Sequence, residues 1–279
     1  MAGILYLVAT PIGNLEDITL RAINVLKSVD FIAAEDTRHT LKLLNHLEIS
    51  KPLISCYKEN ELIKSDVIIS KLKDGHNIAL VTDAGTPVIS DPGEEIVHFA
   101  IENNIKVVPI PGACALITGL IASGISAKEF CFIGFLPVNK SEKTNKLSSL
   151  YDIDKTLIFY EAPHKLKNTL TAISEVLGNR KITLARELTK LHEDFTYGFV
   201  NDILQDMKEP KGEYVIIVEG NQNSEDEVVS KLNKASLEEH FGFYKNLGYS
   251  KKDIIKMVAK DRNVPKNDIY QYFLNETNF

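Results

Sequence analysis

Apolar and polar positions alternate in blocks along the first half of the chain. Short, continuous apolar runs are each followed by a turn-rich loop and then by apolar positions spaced as on one face of a helix. Such runs are typical of strands buried on both faces of a parallel sheet. Strands that alternate with helices imply parallel crossovers, and so predict a doubly wound α/β sheet. The predicted strands span residues 4–9, 31–34, 53–57, 77–81 and 107–110.

Local signals predict where several of the helices begin. Thr19 is suited to N-cap the first helix, which is expected to turn Leu20 and Leu26 inward. Pro92 presets the first turn of the helix after the fourth strand, whose apolar residues include Ile96, Phe99 and Ile101.

The pattern restarts near residues 124–129, where a second set of elements begins. The predicted strands 130–135, 156–160, 182–185, 195–200 and 213–218 form a mixed sheet. A long amphipathic helix lies between the second and third of these strands and is expected to end at Gly178. The lysine-rich segment 139–149 is predicted to be an exposed loop with a short helix.

A polar, acidic stretch over residues 221–227 is predicted to be a linker to two or three short helices. The chain is therefore expected to hold an N-terminal α/β domain (residues 1–124), a second α/β domain (residues 125–222) and a helical C-terminal extension (residues 223–279). The outer faces of the last helices carry Lys251, Lys252, Lys256, Lys260, Arg262 and Lys266.

Composition narrows the class of protein. A chain of 279 residues with 44% hydrophobic and 25% charged residues has ordinary globular composition. Cys56, Cys114 and Cys131 are too widely separated for a zinc pattern or a disulfide framework, and no secretory signal is visible. No apolar run reaches the roughly 20 residues of a membrane helix, so a cytoplasmic location without membrane contact is expected. The net charge of −6 speaks mildly against nucleic acid as a partner.

The loop over residues 81–93 concentrates polar chemistry after the fourth strand. Open α/β sheets bind ligands at the carboxyl ends of their strands, where strand order reverses. The loop's small residues allow a ligand to approach the backbone closely. Asp83 and Asp91 favour a ligand with hydroxyls, an amine or a positive centre over a phosphate.

Several common motifs are absent from the sequence. No G-x-G-x-x-G follows a strand, and neither a P-loop nor a nucleophile elbow occurs. His192-Glu193 lacks a second histidine four residues on, and no metal-ligand set is evident. Standard dinucleotide, nucleoside-triphosphate and zinc-protease sites are therefore excluded.

Four groups of strand-end loops stand in place of these motifs: residues 9–19 with 34–38 close behind, 82–87, 109–115 and 185–190. Together they resemble the SAM-dependent tetrapyrrole methylase superfamily, the class III methyltransferases. Within it, the first loop Thr10-Pro11-Ile12-Gly13-Asn14 is similar to the branch that methylates the ribose 2′-hydroxyl of a decoding-centre cytidine in 16S rRNA. The porphyrin branch usually has a glycine-rich loop there. The resemblance covers residues 4–220.

The resemblance implies two α/β domains with SAM in the cleft between them. Cys114 departs from the family pattern, where serine is usual, which places one side-chain hydrogen bond in doubt. The residues that the resemblance assigns to the cofactor are Ile12, Asp83, Ala84, Gly85, Thr86, Pro87, Cys114, Ala115, Tyr160, Ala185 and Glu213.

Transfer to a hydroxyl also requires that a proton be removed. Glu161, His164 and Glu187 follow strands of the second domain and are candidates for a base or for orienting the hydroxyl. Asp17, Glu35 and Asp36 are rivals in the first domain, and positioning without a base is a further alternative. No metal is required.

The resemblance implies 16S rRNA as partner, within the 30S subunit, and a homodimer. A single-stranded or distorted RNA segment is expected, because a paired ribose is hard to present to a closed cleft. The alternatives are a methylase of a tetrapyrrole precursor and an RNA-binding scaffold that retains SAM. Candidate phosphate contacts are Arg21, Arg38, Lys140, Lys143, Lys146, Lys165 and Lys167.

Overall fold

The computed structural model describes residues 2–57, 61–222, 229 and 232–275. The chain divides into two compact units, Met1–Tyr151 with Lys155–Glu219, and Asp152–Asp154 with Gly220–Phe279. Both sheets lie in the first unit. The predicted linker falls mostly on residues 223–228, outside the described residues, and the domain boundaries at 124 and 222 stay a prediction.

The first sheet is parallel, as predicted, with strand order β3-β2-β4-β1-β5. Its central strands are apolar at every position because helices cover both faces. The order places β1 and β4 side by side, so the loops that follow them meet at one sheet edge. The strands are β1 (Ile4–Val8), β2 (Phe31–Ala34), β3 (Leu53–Ser55), β4 (Ile78–Val81) and β5 (Lys106–Ile110).

Two helices cover each face of this sheet. Helices α1 and α2 share one core with the sheet, and α3 and α4 share the other, so the doubly wound architecture is confirmed. Their bounds are α1 (Leu20–Ser28), α2 (Thr37–His46), α3 (Glu61–Lys73) and α4 (Glu94–Glu102).

Most end signals of these helices are confirmed, but the inward assignment of Leu20 is wrong. The Thr19 hydroxyl accepts a hydrogen bond from the Ala22 N–H and caps α1. Leu20 is 81% exposed because it is the first residue of α1, where the turn still faces solvent, and Ile101 is 62% exposed at the end of α4. Gly93, with φ +129°, is the N-cap of α4, so Pro92 lies just before the helix.

The second sheet is mixed, with order β6-β7-β10-β8-β9. Strand β6 pairs with β7 in parallel through a helical crossover, and the remaining pairs are antiparallel. The strands are β6 (Phe130–Phe135), β7 (Thr156–Glu161), β8 (Lys181–Arg186), β9 (Asp194–Phe199) and β10 (Tyr214–Val218).

Helix α5 (Ala115–Ala122) follows β5 but packs on the second sheet. Leu116 and Leu120 lie in one core with Ile158, Val215 and other residues of β7, β8 and β10. The predicted boundary at residue 124 therefore falls after a helix whose packing partners belong to the second sheet. The other helices of this half are α6 (Lys140–Ser148), α7 (Pro163–Leu177) and α8 (Val200–Asp206), of which α8 was not predicted.

The second unit contains α9 (Leu237–Asn246), α10 (Lys251–Asp261) and α11 (Lys266–Asn275). A small core of Phe241, Tyr244, Ile254, Val258 and Ile269 joins these helices. Across the part of the chain that the structure describes, no helix has both the length and the apolar character needed to cross a membrane.

Candidate functional site

The loops after β1, β2, β4 and β5 are tied together at one edge of the first sheet. Thr10 and Gly85 form a two-way backbone bridge, with N···O distances of 2.8 and 3.1 Å. The Thr86 hydroxyl donates to the Ala113 carbonyl at 3.1 Å. Asp83 Oδ1 accepts the Asp36 N–H at 3.1 Å, so the acidic loop also holds the start of α2.

A cavity of about 410 Å³ lies against these loops, and the second sheet supplies its opposite wall. This volume falls in the range of ~300–1,000 Å³ that is common for small-molecule sites. The predicted site residues that line it are Ile12, Asp83, Ala84, Gly85, Thr86, Cys114, Ala115, Tyr160, Glu161, Ala185, Glu187 and Glu213.

Two predicted site residues do not line the cavity. Pro87 is buried behind the loop after β4. His164 is exposed in the first turn of α7 and is not among the lining residues. The geometry therefore gives His164 no contact with the cavity.

Tyr160 joins the second sheet to the start of α5. Its phenolic oxygen accepts the Leu116 N–H at 3.1 Å, while the Cys114 side chain makes no capping hydrogen bond. The tyrosine thus provides the N-terminal cap that the cysteine does not provide. Burial, with a contribution from Cys114, raises the pKa of Tyr160, so the phenol stays neutral. Phe132 and Phe135 pack edge-on against its ring.

Glu161 is buried, and both of its carboxylate oxygens have partners. Oε1 accepts the Ala162 N–H at 2.9 Å, and Oε2 accepts the Thr169 hydroxyl at 2.5 Å. Thr169 in turn accepts from Lys143 Nζ at 3.0 Å. Lys143 is therefore turned inward to support Glu161, so its predicted role as a phosphate contact is wrong.

Glu187 belongs to an ion-pair group at the rim of the cavity. Lys190 Nζ donates to Glu187 Oε1 and to Glu213 Oε2, each at 2.9 Å. The Glu213 N–H and then Lys190 hold the pKa of Glu187 below its ordinary value. A carboxylate with these partners is a weak proton acceptor.

The loop after β8, which carries Glu187 and Lys190 and is called the rim loop below, contacts the loop after β1. The Asn14 N–H donates to Thr189 Oγ1 at 3.0 Å, and Gly13 lies directly under Thr189 and Lys190. Glu187 and Thr189 have positive φ angles of 49° and 66°. Such strain at non-glycine residues is typical of functional loops that neighbouring structure holds in place.

Further residues line the cavity without having been assigned a role from the sequence. Asp91, noted there only as a carboxylate of the loop, faces the cavity with Glu35 and Asp83. Burial, followed by the charges of Glu35 and Asp83, raises the pKa of Asp91 to about 6, against the effect of the Thr82 hydroxyl. The others are Ile89, Ser90, Phe135, Ala162, Leu188, Lys190, Tyr214 and Val215.

The remaining predicted charges lie outside the cavity. Asp36 caps α2 and forms an ion pair with Arg38 at 2.8 Å. The side-chain hydrogen bond from Arg38 is the main cause that lowers the pKa of Asp36 to about 2. Asp17 is exposed in a short 3-10 helix. Among the described residues, no group of three or more His, Cys, Asp or Glu side chains is arranged to hold a metal ion.

The protein has two sheets whose strand-end loops surround an acidic cavity. This architecture is similar to that of a solved structure. The crystal structure of the native form of uroporphyrin III C-methyl transferase from Thermus thermophilus superposes with a TM-score of 0.56, covering 78% of this chain and 97% of that one, at 18% identity. This similarity shows the fold.

Sequence comparison identifies the family. The model for Tetrapyrrole (Corrin/Porphyrin) Methylases matches residues 4–204, and the chain belongs to this family. A relative from Bacillus subtilis (strain 168), named ribosomal RNA small subunit methyltransferase I, is 50% identical over 97% of this chain and 94% of its own length. A relative of the same name from Synechocystis sp. is 44% identical, over 98% of each chain. The resemblance found in the loops is thus confirmed.

Proposed function

We propose that this protein uses SAM to methylate the ribose 2′-hydroxyl of a decoding-centre cytidine in 16S rRNA. The observation that carries the proposal is the meeting of all four family-specific loop groups around one cavity. Relatives similar over nearly the whole chain are named for the small-subunit rRNA, which supports this substrate class.

The residues around the cavity fit SAM. Carboxylates of Glu35, Asp83 and Asp91 face the cavity and suit a ligand with a sulfonium and an ammonium group. Gly85, with φ +88°, and the small Ala115 and Ala185 allow backbone groups to approach an adenosine closely. We assign the contacts to Ile12, Asp83–Thr86, Cys114–Ala115, Tyr160, Ala185 and Glu213.

Bound SAM supplies an electrophilic methyl group. The chain's own contribution is to align the acceptor hydroxyl with that group, which accounts for roughly 7–11 kcal/mol of barrier lowering in well-oriented reactions. Leu188 and Phe135 contribute apolar surface to the lining of the cavity. The hydrogen-bonded contact between Asn14 and Thr189 keeps the two walls of the cavity together.

The RNA segment enters unpaired or distorted, because a cavity of this size does not admit a paired ribose. Exposed lysines on α6 and α7 (Lys140, Lys146 and Lys167) are available to phosphates. With a net charge of −6, recognition depends on the shape of the assembled 30S subunit as well as on these charges.

We also propose a cytoplasmic homodimer. Ile117 and Ile121 on α5 are 43% and 74% exposed, and Tyr197 on the edge strand β9 lies beside them, donating to the Ala122 carbonyl. An exposed apolar face next to a sheet edge supports self-association.

The test is methyl transfer from labelled SAM to 30S subunits that lack decoding-centre methylation. Label recovered on the ribose of one decoding-centre cytidine supports the proposal. Label on a base, or only on a tetrapyrrole precursor, overturns it. SAM binding without transfer at any stage of subunit assembly would instead favour the RNA-binding scaffold.

A further inference from the structure

We propose that Asp91 is a catalytic residue whose carboxylate accepts the proton of the substrate hydroxyl during methyl transfer. This inference rests on the proposed function, because it requires a hydroxyl acceptor. It concerns a residue that the loop resemblance did not assign to the site.

The position of Asp91 gives it access to the reacting groups. It belongs to the acidic loop after β4, lines the cavity, and is near enough to Tyr160 on β7 for its charge to affect the phenol. The preceding residue, Ser90, approaches Gly134 of β6, where an added Cβ would lie 3.1 Å from Ser90 Oγ. The loop thus extends from the first sheet to the second and places Asp91 where the two walls meet.

This loop is held in an unfavourable backbone conformation. Val88 and Ser90 have φ angles of 75° and 67°, although valine is β-branched. Left-handed backbone is unfavourable at such residues and persists where surrounding contacts enforce it. The strained segment ends at the carboxylate that faces the cavity.

The other carboxylates of the cavity have structural partners that occupy them. Glu161 accepts from the Ala162 N–H and the Thr169 hydroxyl, and Glu187 accepts from Lys190 and the Glu213 N–H. Asp83 accepts the Asp36 N–H. A carboxylate that stabilises its charge through fixed donors gains little by taking up a proton.

Asp91 has less support for its charge: the Thr82 hydroxyl is its hydrogen-bonding neighbour, while the charges of Glu35 and Asp83 oppose its ionisation. The charged groups that act on it are Glu35 after β2 and Asp83 after β4, and both are negative. Further titratable groups that line the same cavity are Cys114, Tyr160 and Lys190. The buried Thr82 hydroxyl donates to Glu35 Oε2 at 3.3 Å and also interacts with the Asp91 carboxylate, where it lowers the pKa against the larger effect of burial. The resulting pKa of about 6 suits a base that acts near neutral pH.

The proposed step balances in atoms and charge. The hydroxyl oxygen forms a bond to the methyl carbon with its electron pair, and the carbon–sulfur bond breaks with its electron pair remaining on sulfur. The hydroxyl proton passes to the Asp91 carboxylate. The positive sulfonium and the negative carboxylate are replaced by a neutral thioether and a neutral carboxylic acid, which afterwards loses its proton to solvent.

The first test compares Asp91→Asn with Glu94→Gln, a control that removes an exposed carboxylate on α4 outside the cavity. We expect Asp91→Asn to bind SAM in calorimetry but to lose about 10²–10⁴-fold in kcat, the usual contribution of a general base. Glu94→Gln should behave as the wild type. Nearly unchanged kcat, or a defect confined to SAM affinity, would overturn the role of Asp91.

A second test does not require the Asp91 variant to fold. In wild-type protein labelled at aspartate Cγ, one carboxyl resonance should titrate near pH 6, and the single-turnover rate should rise over the same range. Glu35→Gln removes a neighbouring negative charge, so both midpoints should move to lower pH. Midpoints that stay in place, or a rate with no acid limb, contradict the inference. Failure of the wild type to methylate ribose would refute the proposed function itself, and the transfer of label from SAM to 30S subunits tests that function separately.

Discussion

Gly13 decides how closely the loop after β1 approaches the rim loop after β8. A Cβ at this position would lie 2.4 Å from Lys190 Cγ, 2.9 Å from Thr189 Oγ1 and 3.1 Å from the Leu188 carbonyl oxygen. The last of these is backbone and cannot rotate away. The absence of a side chain at Gly13 is therefore a condition for the contact that holds the two walls of the cavity together.

Gly13→Val is expected to separate the two loops. Overpacking of this kind costs about 1–3 kcal/mol, and we expect SAM affinity in calorimetry to fall by a comparable amount because the cavity opens. Gly242→Ala is the control, since an added Cβ there meets nothing within 4 Å in α9. Equal SAM affinity for Gly13→Val and the wild type would show that the loop contact does not shape the site.

Asp83 has a structural and an electrostatic role that substitutions can separate. Asp83→Ala removes both its charge and the acceptor for the Asp36 N–H, so SAM binding should weaken by roughly 1–3 kcal/mol. Asp83→Asn retains an oxygen acceptor and isolates the charge. Calorimetry on both variants separates the contribution of the charge from that of the hydrogen-bond acceptor. Unchanged SAM affinity in folded Asp83→Ala would refute the assignment of this loop to the cofactor.

At the scale of elements, helix α7 begins at the cavity and ends at Gly178. The terminal glycine has φ +87° and ψ −176°, a region of backbone conformation that is essentially restricted to glycine. Nothing lies within 4 Å of an added Cβ, so a substitution there acts through the backbone alone.

Gly178→Ala should lower the free energy of unfolding by about 1–3 kcal/mol. Because Gly178 lies at the end of α7 that is farther from the cavity, the substitution should not change SAM affinity. Denaturant unfolding and calorimetry check the two parts. A loss of SAM affinity without a loss of stability would contradict the placement of Gly178 as a purely structural cap.

Helices and strands with local end signals were predictable from the sequence, whereas the elements they pack against were not. Thr19 and Gly178 lie at the predicted helix ends because capping depends on a few neighbouring residues. Helix α8 begins directly after β9 without a turn signal, so the pattern did not reveal it. The packing of α5 on the second sheet depends on tertiary contacts that periodicity does not encode.

In the candidate site, too, some features were predictable from the sequence and others were not. The loops that line the cavity were predictable because they follow strands and carry distinctive residues. The occupation of Glu161 and Glu187 by structural partners, and the inward turn of Lys143, depend on contacts between distant segments. These contacts shift the expected proton acceptor from the predicted residues to Asp91.

At the scale of the whole molecule, the second unit has its own buried polar network. His240 is fully buried, accepts from Arg262 Nε at Nδ1, and lies 3.2 Å from Asp261 through Nε2. Because Nδ1 accepts, the neutral ring must carry its proton on Nε2. Arg262 also donates to the carbonyls of Leu232 and Ala235, which joins the start of this unit to α10. Its guanidinium is thus turned inward by these acceptors, so its predicted place on the outer face is wrong.

The network predicts that the stability of the second unit depends on pH. Burial lowers the pKa of His240 in the folded state below the ordinary 6.5, which applies to the unfolded chain. The unfolded state therefore binds more protons as the pH falls through this range, so stability falls with it. Hydrogen exchange in α9 and α10 should accelerate between about pH 7.5 and about pH 5.5 after correction for intrinsic rates. His240→Gln should remove this slope, and protection independent of pH in the wild type would contradict the account.

The central claim is that the cavity between the strand-end loops of the two sheets holds SAM. A crystal structure of the protein with SAM tests it most directly. We expect the ligand in the cavity of about 410 Å³, with its positive groups toward Glu35, Asp83 and Asp91 and its adenosine against Ala185 and Tyr160. SAM bound at another place on the protein, with this cavity left vacant, would contradict the account.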